Sequence, residues 1–284
     1  MSLDRKFSDI DKKIDGILGN TERQIGRQYA KLNREIRHLL SDYFAEYETE
    51  GSLKYETMAK YNRMENFEKK IRDKIRKEGT TPIAREIRKG LRSSVSTAFD
   101  ETKSGVEEAA GRKIQGTLKR DTINEIIQTP DSGLKLNDRL QRRRADVIDR
   151  VRETLTQGMT RGETYKQMTD RLKEELERDT EKAYRIVRTE GHRVQESGKH
   201  KCLEHAKNQG VKMKKWWDDA GDERVRDKHA HMGEKYSKDN AIPFEENFVN
   251  DVSGGEGPHP GRMGTAVDDI HCRCQMRIII EDVE

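Results

Sequence analysis

Apolar residues recur at helical spacing along most of this chain. Leu3, Phe7, Ile10, Ile14 and Ile17 alternate steps of four and three, a heptad stripe. Gly19 and Asn20 are expected to interrupt it, and Thr21 with Gln24 reads as a capping box that opens a second helix. Ile25, Tyr29, Leu32, Ile36, Leu39 and Tyr43 form a second stripe, which needs a partner to cover it. A third helix is predicted over 53–77, with Tyr61, Met64, Ile71 and Ile75 on its buried face. Thr81 and Pro82 read as an N-cap followed by an N1 proline, and Ile83, Ile87, Leu91, Val95 and Ala98 continue that helix. Gly105, Gly111 and Gly116 predict a break within 100–118. Thr129 to Gly133, TPDSG, reads as a loop, after which helices are predicted over 134–157, 163–177 and 180–209, with turns near Gly158 and Gly162.

The pattern changes after Gly210. Val211 to Trp217 is short, aromatic and only loosely alternating, which suggests a strand. Residues 250–269 are rich in Gly, Pro and Asp and read as a long irregular loop. Residues 274–283 carry a β-branched run and read as a closing strand. The expected fold is therefore mainly α with a small C-terminal α+β module. An extended helical region, possible as a coiled coil, is expected over 1–150, and a compact domain with a short β-sheet over 151–284.

Composition supports this division. Only 31% of the 284 residues are hydrophobic and 39% are charged, so one large apolar core is excluded. Lys+Arg (57) and Asp+Glu (53) nearly balance, giving a net charge of +4, which suits long solvated helices better than disorder. The charge is unevenly placed. Residues 1–215 hold 49 basic and 37 acidic side chains, and residues 216–284 hold 8 and 16. A basic body suits a polyanion, and Arg139, Arg142, Arg143 and Arg144 form its densest patch and the candidate DNA contact. No apolar run is long enough to span a membrane, no secretory h-region is visible, and three cysteines make no disulfide framework. A soluble protein made in a reducing cytoplasm is expected.

Candidate chemistry lies in the second half. On a strand, Cys272 and Cys274 share a face and Arg273 points away. With His229, His231 or His271 the two thiols are a candidate Zn2+ site; the bland alternative is a pair of reduced thiols in a small core. His229 follows Arg226 by three residues, with Asp222 close by. This suggests either a general-base constellation or, as preferred here, a polar network that pins a loop-rich fold. The members of that network are Arg188, Glu190, Trp216, Asp222, Arg224, Arg226 and His229. His200, Cys202 and His205 read as no more than a helix surface.

The order of these elements resembles the phage Mu F-like family of head morphogenesis, or minor capsid, proteins. The resemblance rests on Arg188-Thr189-Glu190, Trp216, Asp222, Arg224, Arg226, His229, Gly233, Phe244, Pro260 and Cys272-Arg273-Cys274, within roughly 150–284. The chain departs from the family at His271, where Asn is usual, and in the order of its Gly/Pro loop. The resemblance implies a low-copy internal component of a tailed-phage head, located in the virion and, during assembly, in the host cytoplasm. Implied partners are the portal protein, the major capsid or scaffolding protein, and double-stranded DNA bound without sequence preference. On this reading no residue is catalytic, and docking is expected to bury stripes such as Ile25/Leu32/Leu39. The rival reading is a metal-dependent nuclease or toxin-like transferase centred on His229, although no P-loop, G-x-S-x-G or HExxH occurs.

Overall fold

The computed structural model describes residues 3–129 and 135–283, the side chains of 282 and 283 apart. The expected loop at 129–133 thus lies, beyond its first residue, outside the described residues. The protein is mainly α with a small β component. In chain order the helices are α1 (Leu3–Tyr47), α2 (Tyr55–Ala59), α3 (Arg63–Lys74), α4 (Thr81–Ala110), α5 (Arg120–Gln128), α6 (Leu136–Thr160) and α7 (Tyr165–Lys207). Strand β1 (Val211–Asp218) follows, then α8 (Asp227–Lys235), the short strands β2 (Ile242–Pro243), β3 (Phe248–Val249) and β4 (Glu256–Gly257), α9 (Ala266–Asp269) and β5 (Gln275–Val283). No described helix is long and apolar enough to cross a membrane.

The break expected at Gly19-Asn20 does not exist, because α1 runs through it. The buried positions Phe7, Ile10, Ile14, Leu18, Thr21, Ile25, Tyr29, Leu32, Ile36, Leu40 and Tyr43 follow steps of three, four and four. That is an 11-residue repeat rather than a heptad, and it keeps a stripe on one face of a continuous helix. It places Leu18, not Ile17, on the buried face and turns Asn20 outward, so Thr21 is a stripe residue and not a cap.

Thr81 is likewise no N-cap. Its backbone is helical, at φ −71° and ψ −50°, and its N–H donates to Arg76 O across the π-helical turn Ile75–Thr80. Pro82 has no N–H to donate and crowds the preceding carbonyls, and the helical ladder widens just ahead of it. The third predicted helix is divided into α2 and α3 by a 3-10 turn in which Tyr61 and Asn62 have positive φ. Gly105 lies within α4, and Gly111, at φ +67°, ends the run. Gly158 lies inside α6, and the helices expected at 163–177 and 180–209 are the single α7.

Two compact units make up the chain: residues 1–20, 88–136 and 185–284 form the first, and 21–87 with 137–184 the second. In the second, Ile25, Leu32, Ile36, Phe67, Ile71, Val147, Val151, Leu155 and Leu172 are buried. Inside this core Asp179 of α7 accepts hydrogen bonds from Arg143 (2.6 Å) and Arg150 (3.0 Å) of α6, and from the Tyr29 hydroxyl. The stripe residues Ile25, Leu32 and Leu39 are at most 8% exposed within the chain itself, so they offer no surface for docking.

In the first unit the sheet order is β2-β1-β5, all antiparallel, with Trp217 opposite Met276 and a bulge at Lys212/Met213. Val211, Met213, Lys215 and Trp217 face inward, which explains why the strand alternates so loosely in sequence: one inward position is a lysine. Lys215 Nζ lies 4.8 Å over the Phe248 ring and donates to Pro258 O at 2.8 Å. The second half of α7 is buried nearly all round, Arg193, Gln195, Glu196 and Lys199 included. Its close approach to α4 depends on Gly198, where a Cβ would stand 2.8 Å from Val95 O.

Candidate functional site

Helix α8 starts after Arg226, whose backbone is extended, and carries His229 inward. The segment from α9 into β5 turns at His271, which has a φ of +58° and is exposed. This turn brings Cys272 and Cys274 to the same side of the chain, against the His229 ring. Nδ1 of His229 lies 3.7 Å from Cys272 Sγ and 3.3 Å from Cys274 Sγ. All three side chains are buried, and their ligand atoms lie within 4.8 Å of one another. The other ring nitrogen, Nε2, faces Asp268 Oδ1 at 3.4 Å, too poorly aligned to count as a hydrogen bond. Trp217 packs edge-on against the imidazole, with centroids 5.8 Å apart.

Asp268 is itself held. Asn250 Nδ2 (3.1 Å), Ser253 Oγ (2.5 Å), Thr265 Oγ1 (2.5 Å) and Lys228 Nζ (3.2 Å) all reach its carboxylate. Arg226 donates to the carbonyl of Asp268 at 3.2 Å and so fastens α9 to the start of α8. Contact with Cys274, and then burial, push the Cys272 thiol well above its ordinary range. Contact with Cys272, and then with His229, holds the Cys274 thiol down at about 5. Two thiols and an imidazole are a soft, metal-competent donor set.

The other sequence candidates fall elsewhere. Arg273 does point away, and it grips Asp222 through two 2.6 Å bonds on the exposed side. Asp222 is therefore the partner of Arg273 and not of His229, and Arg224 stands 3.7 Å from the same carboxylate. Glu190 is buried and pairs with Arg193 of its own helix at 2.8 Å, whereas Arg188 is exposed. Trp216 is half-buried at the sheet rim, with the Lys238 ammonium 6.0 Å over its ring. His271 is not grouped with the two thiols. Among the four arginines, Arg143 turns into the core toward Asp179 and is closed to DNA. Arg142 is exposed, and Arg139 and Arg144 are half-buried.

Two clusters were not foreseen. Lys199, fully buried, pairs with Asp11 (2.7 Å) and Glu196 (2.8 Å), and Arg277 of β5 reaches the second oxygen of Asp11 at 2.8 Å. Glu196 also accepts the Met276 N–H at 2.7 Å. The second cluster joins His200, stacked on Phe244, to His259, which lies between Pro260 O at 2.9 Å and Ser197 Oγ at 3.3 Å. Charged and imidazole side chains on a helix read as solvated in sequence, and no spacing rule marks them as buried.

Residues 149–277 match the family model described as "Phage Mu protein F like protein". The chain is 29% identical over 274 residues to "Minor head protein GP7" of Bacillus phage SPP1, covering 96% of the chain and 86% of that protein. It is 27% identical over 166 residues to "NAD(+)--arginine ADP-ribosyltransferase EFV" of Enterococcus faecalis, spanning 58% of the chain but only a third of that protein. An uncharacterized protein of Haemophilus influenzae is 27% identical over 219 residues, covering 76% of the chain and 43% of that protein. No solved structure matches. Over nearly its whole length the chain is thus similar to a minor head protein, and residues 149–277 are similar to the phage Mu protein F-like family.

Proposed function

We propose that this chain is a minor head protein of a phage virion, that it works at the portal, inside the head, and that it meets packaged DNA through its phosphates without reading sequence. The observation that carries the reading is the match to a minor head protein over 96% of the chain. The basic excess of residues 1–215 supports the DNA part. Because the apolar stripes are already covered, portal docking rests on polar and charged helix faces rather than on Ile25, Leu32 or Leu39. Arg139, Arg142 and Arg144 are the DNA-facing candidates that remain once Arg143 is committed to Asp179.

We take the role to be structural and not enzymatic. His229, the centre of any enzymatic reading, is 2% exposed and is engaged by two thiols. Its would-be partner Asp222 is bound to Arg273. The division near residue 150 is retained as a functional boundary, with family-specific chemistry after it.

Two measurements on the full chain test this proposal. Co-sedimentation with purified portal rings is expected to retain the protein, and its absence from the pellet removes the portal role. A DNA gel-shift series in salt is expected to lose about 0.9 from the log–log slope for each arginine that meets a phosphate when R139E, R142E and R144E are combined. An unchanged slope removes these three residues from the interface. Nuclease assays with Mg2+, Mn2+ or Zn2+, set against His229→Ala, are expected to show no activity that depends on His229.

A further inference from the structure

The arrangement of His229, Cys272 and Cys274 has the dimensions of a coordination sphere. In a tetrahedral zinc site, with sulfur at about 2.3 Å and imidazole nitrogen at about 2.0–2.1 Å, sulfur and nitrogen stand about 3.5 Å apart across the ion. The two Nδ1–sulfur distances here, 3.3 and 3.7 Å, bracket that value. The three donors come from two segments, α8 and the turn into β5, and their ligand atoms converge to within 4.8 Å of one another.

The outer shell fits as well. A metal-bound imidazole usually directs its second nitrogen at a carboxylate, which fixes the tautomer and the ring orientation. Nε2 of His229 faces Asp268 Oδ1, and that carboxylate is braced by Asn250, Ser253, Thr265 and Lys228. So much bracing of one buried aspartate is not needed to hold a loop, but it suits a group that orients a ligand. The rival uses of the thiols are poorer. A disulfide across two residues would be strained, and plain apolar packing gives no reason for one imidazole nitrogen to stand beside both sulfurs.

We propose that His229, Cys272 and Cys274 bind a zinc-class divalent cation, which fastens α8 to the start of β5. A thiolate–imidazole set selects such an ion over Mg2+ or Ca2+, which take oxygen ligands. Because the ligands are closed off from solvent, the ion's role is to hold the fold, in a region whose apolar core is thin.

The test uses the full-length, reduced protein. Elemental analysis after dialysis is expected to find about one zinc per chain. Cobalt(II) added to the metal-stripped protein is expected to give thiolate-to-cobalt charge-transfer absorption with strong tetrahedral d–d bands, and the Cys272→Ser/Cys274→Ser double variant is expected to lack the charge-transfer band. Zinc is expected to raise the thermal midpoint of the wild-type protein, and a chelator to reverse the shift. Absence of the charge-transfer band in wild-type protein overturns the proposal, whether or not the variant folds. Zinc found without that band is adventitious surface binding and overturns it equally.

Discussion

Arg143 donates to Asp179 at 2.6 Å in a setting where the arginine is 7% and the aspartate 0% exposed at the side chain. Removing one partner from such a pair leaves a buried charge uncompensated. Asp179→Asn is therefore expected to lower the unfolding free energy by about 3–5 kcal/mol, read as a shift in urea midpoint at unchanged slope. Asp146→Asn, on the exposed side of α6, is expected to stay within about 0.5 kcal/mol. Equal effects at the two sites would contradict the buried pairing.

Gly198 is set by the crossing of α7 with α4. Ala98 Cβ stands 3.1 Å and Val95 O 2.8 Å from where its Cβ would be. Alanine normally improves a helix interior by about 1 kcal/mol over glycine. Here overpacking outweighs that gain, and Gly198→Ala is expected to destabilise by about 1–3 kcal/mol in thermal or urea unfolding. A stabilised variant would mean that the helices are further apart.

The His200–His259 pair predicts an acid-sensitive fold. Burial pulls His200 down to about 4 and holds His259 well below its ordinary range. His200 is faced by Glu204, Lys215, Arg262, Lys201 and His259, and His259 by His200, Arg262 and Lys215. Both rings are neutral in the folded chain, while the unfolded chain protonates them near pH 6.5. Their contribution is thus fully present above that pH and is lost as pH falls towards 4, at about 1.4 kcal/mol per pH unit for each ring. Urea midpoints measured between pH 7.5 and 4.5 check this, because His259→Gln is expected to flatten the decline by one ring's share.

Asp222 and Arg273 form a well-made but exposed pair. Hydrogen bonds from Arg273 hold the Asp222 carboxyl well below the usual carboxylate range. Solvent screens the pair, so Asp222→Ala is expected to shift the denaturation midpoint only slightly, and less in high salt. Chemical denaturation at two ionic strengths measures both. A larger loss would mean that Asp222 supports the His229 cluster.

Much of this architecture was legible in the chain. The stripes of α1 and α4 and the strands at 211 and 275 follow from periods of 3.6 and 2. Cys272 and Cys274 do share a side with Arg273 turned away, but they lie ahead of β5, where the turn at His271 and not a strand sets their direction. The misreadings have physical causes. A glycine and an asparagine on an outward face of α1 cost too little to end a helix whose apolar stripe continues at 11-residue spacing. Lys199, Glu196, Arg193 and Lys215 look solvated by residue type, but they are buried because each finds a partner that lies far away in sequence or on a helix face whose burial spacing does not reveal. For the same reason Arg143 looks like part of a basic patch until its partner Asp179, 36 residues away, is seen.

Asp11 meets both Lys199 and Arg277, one close to the first turn of the protein and the others far along it. A ribosome releases Arg277 only after some 260 further residues have followed Asp11. The first compact unit therefore cannot lock until the ribosome has passed Arg277. Until then the second oxygen of Asp11 waits without its guanidinium partner. Closure of this unit is tied to the making of the whole stretch between the two residues.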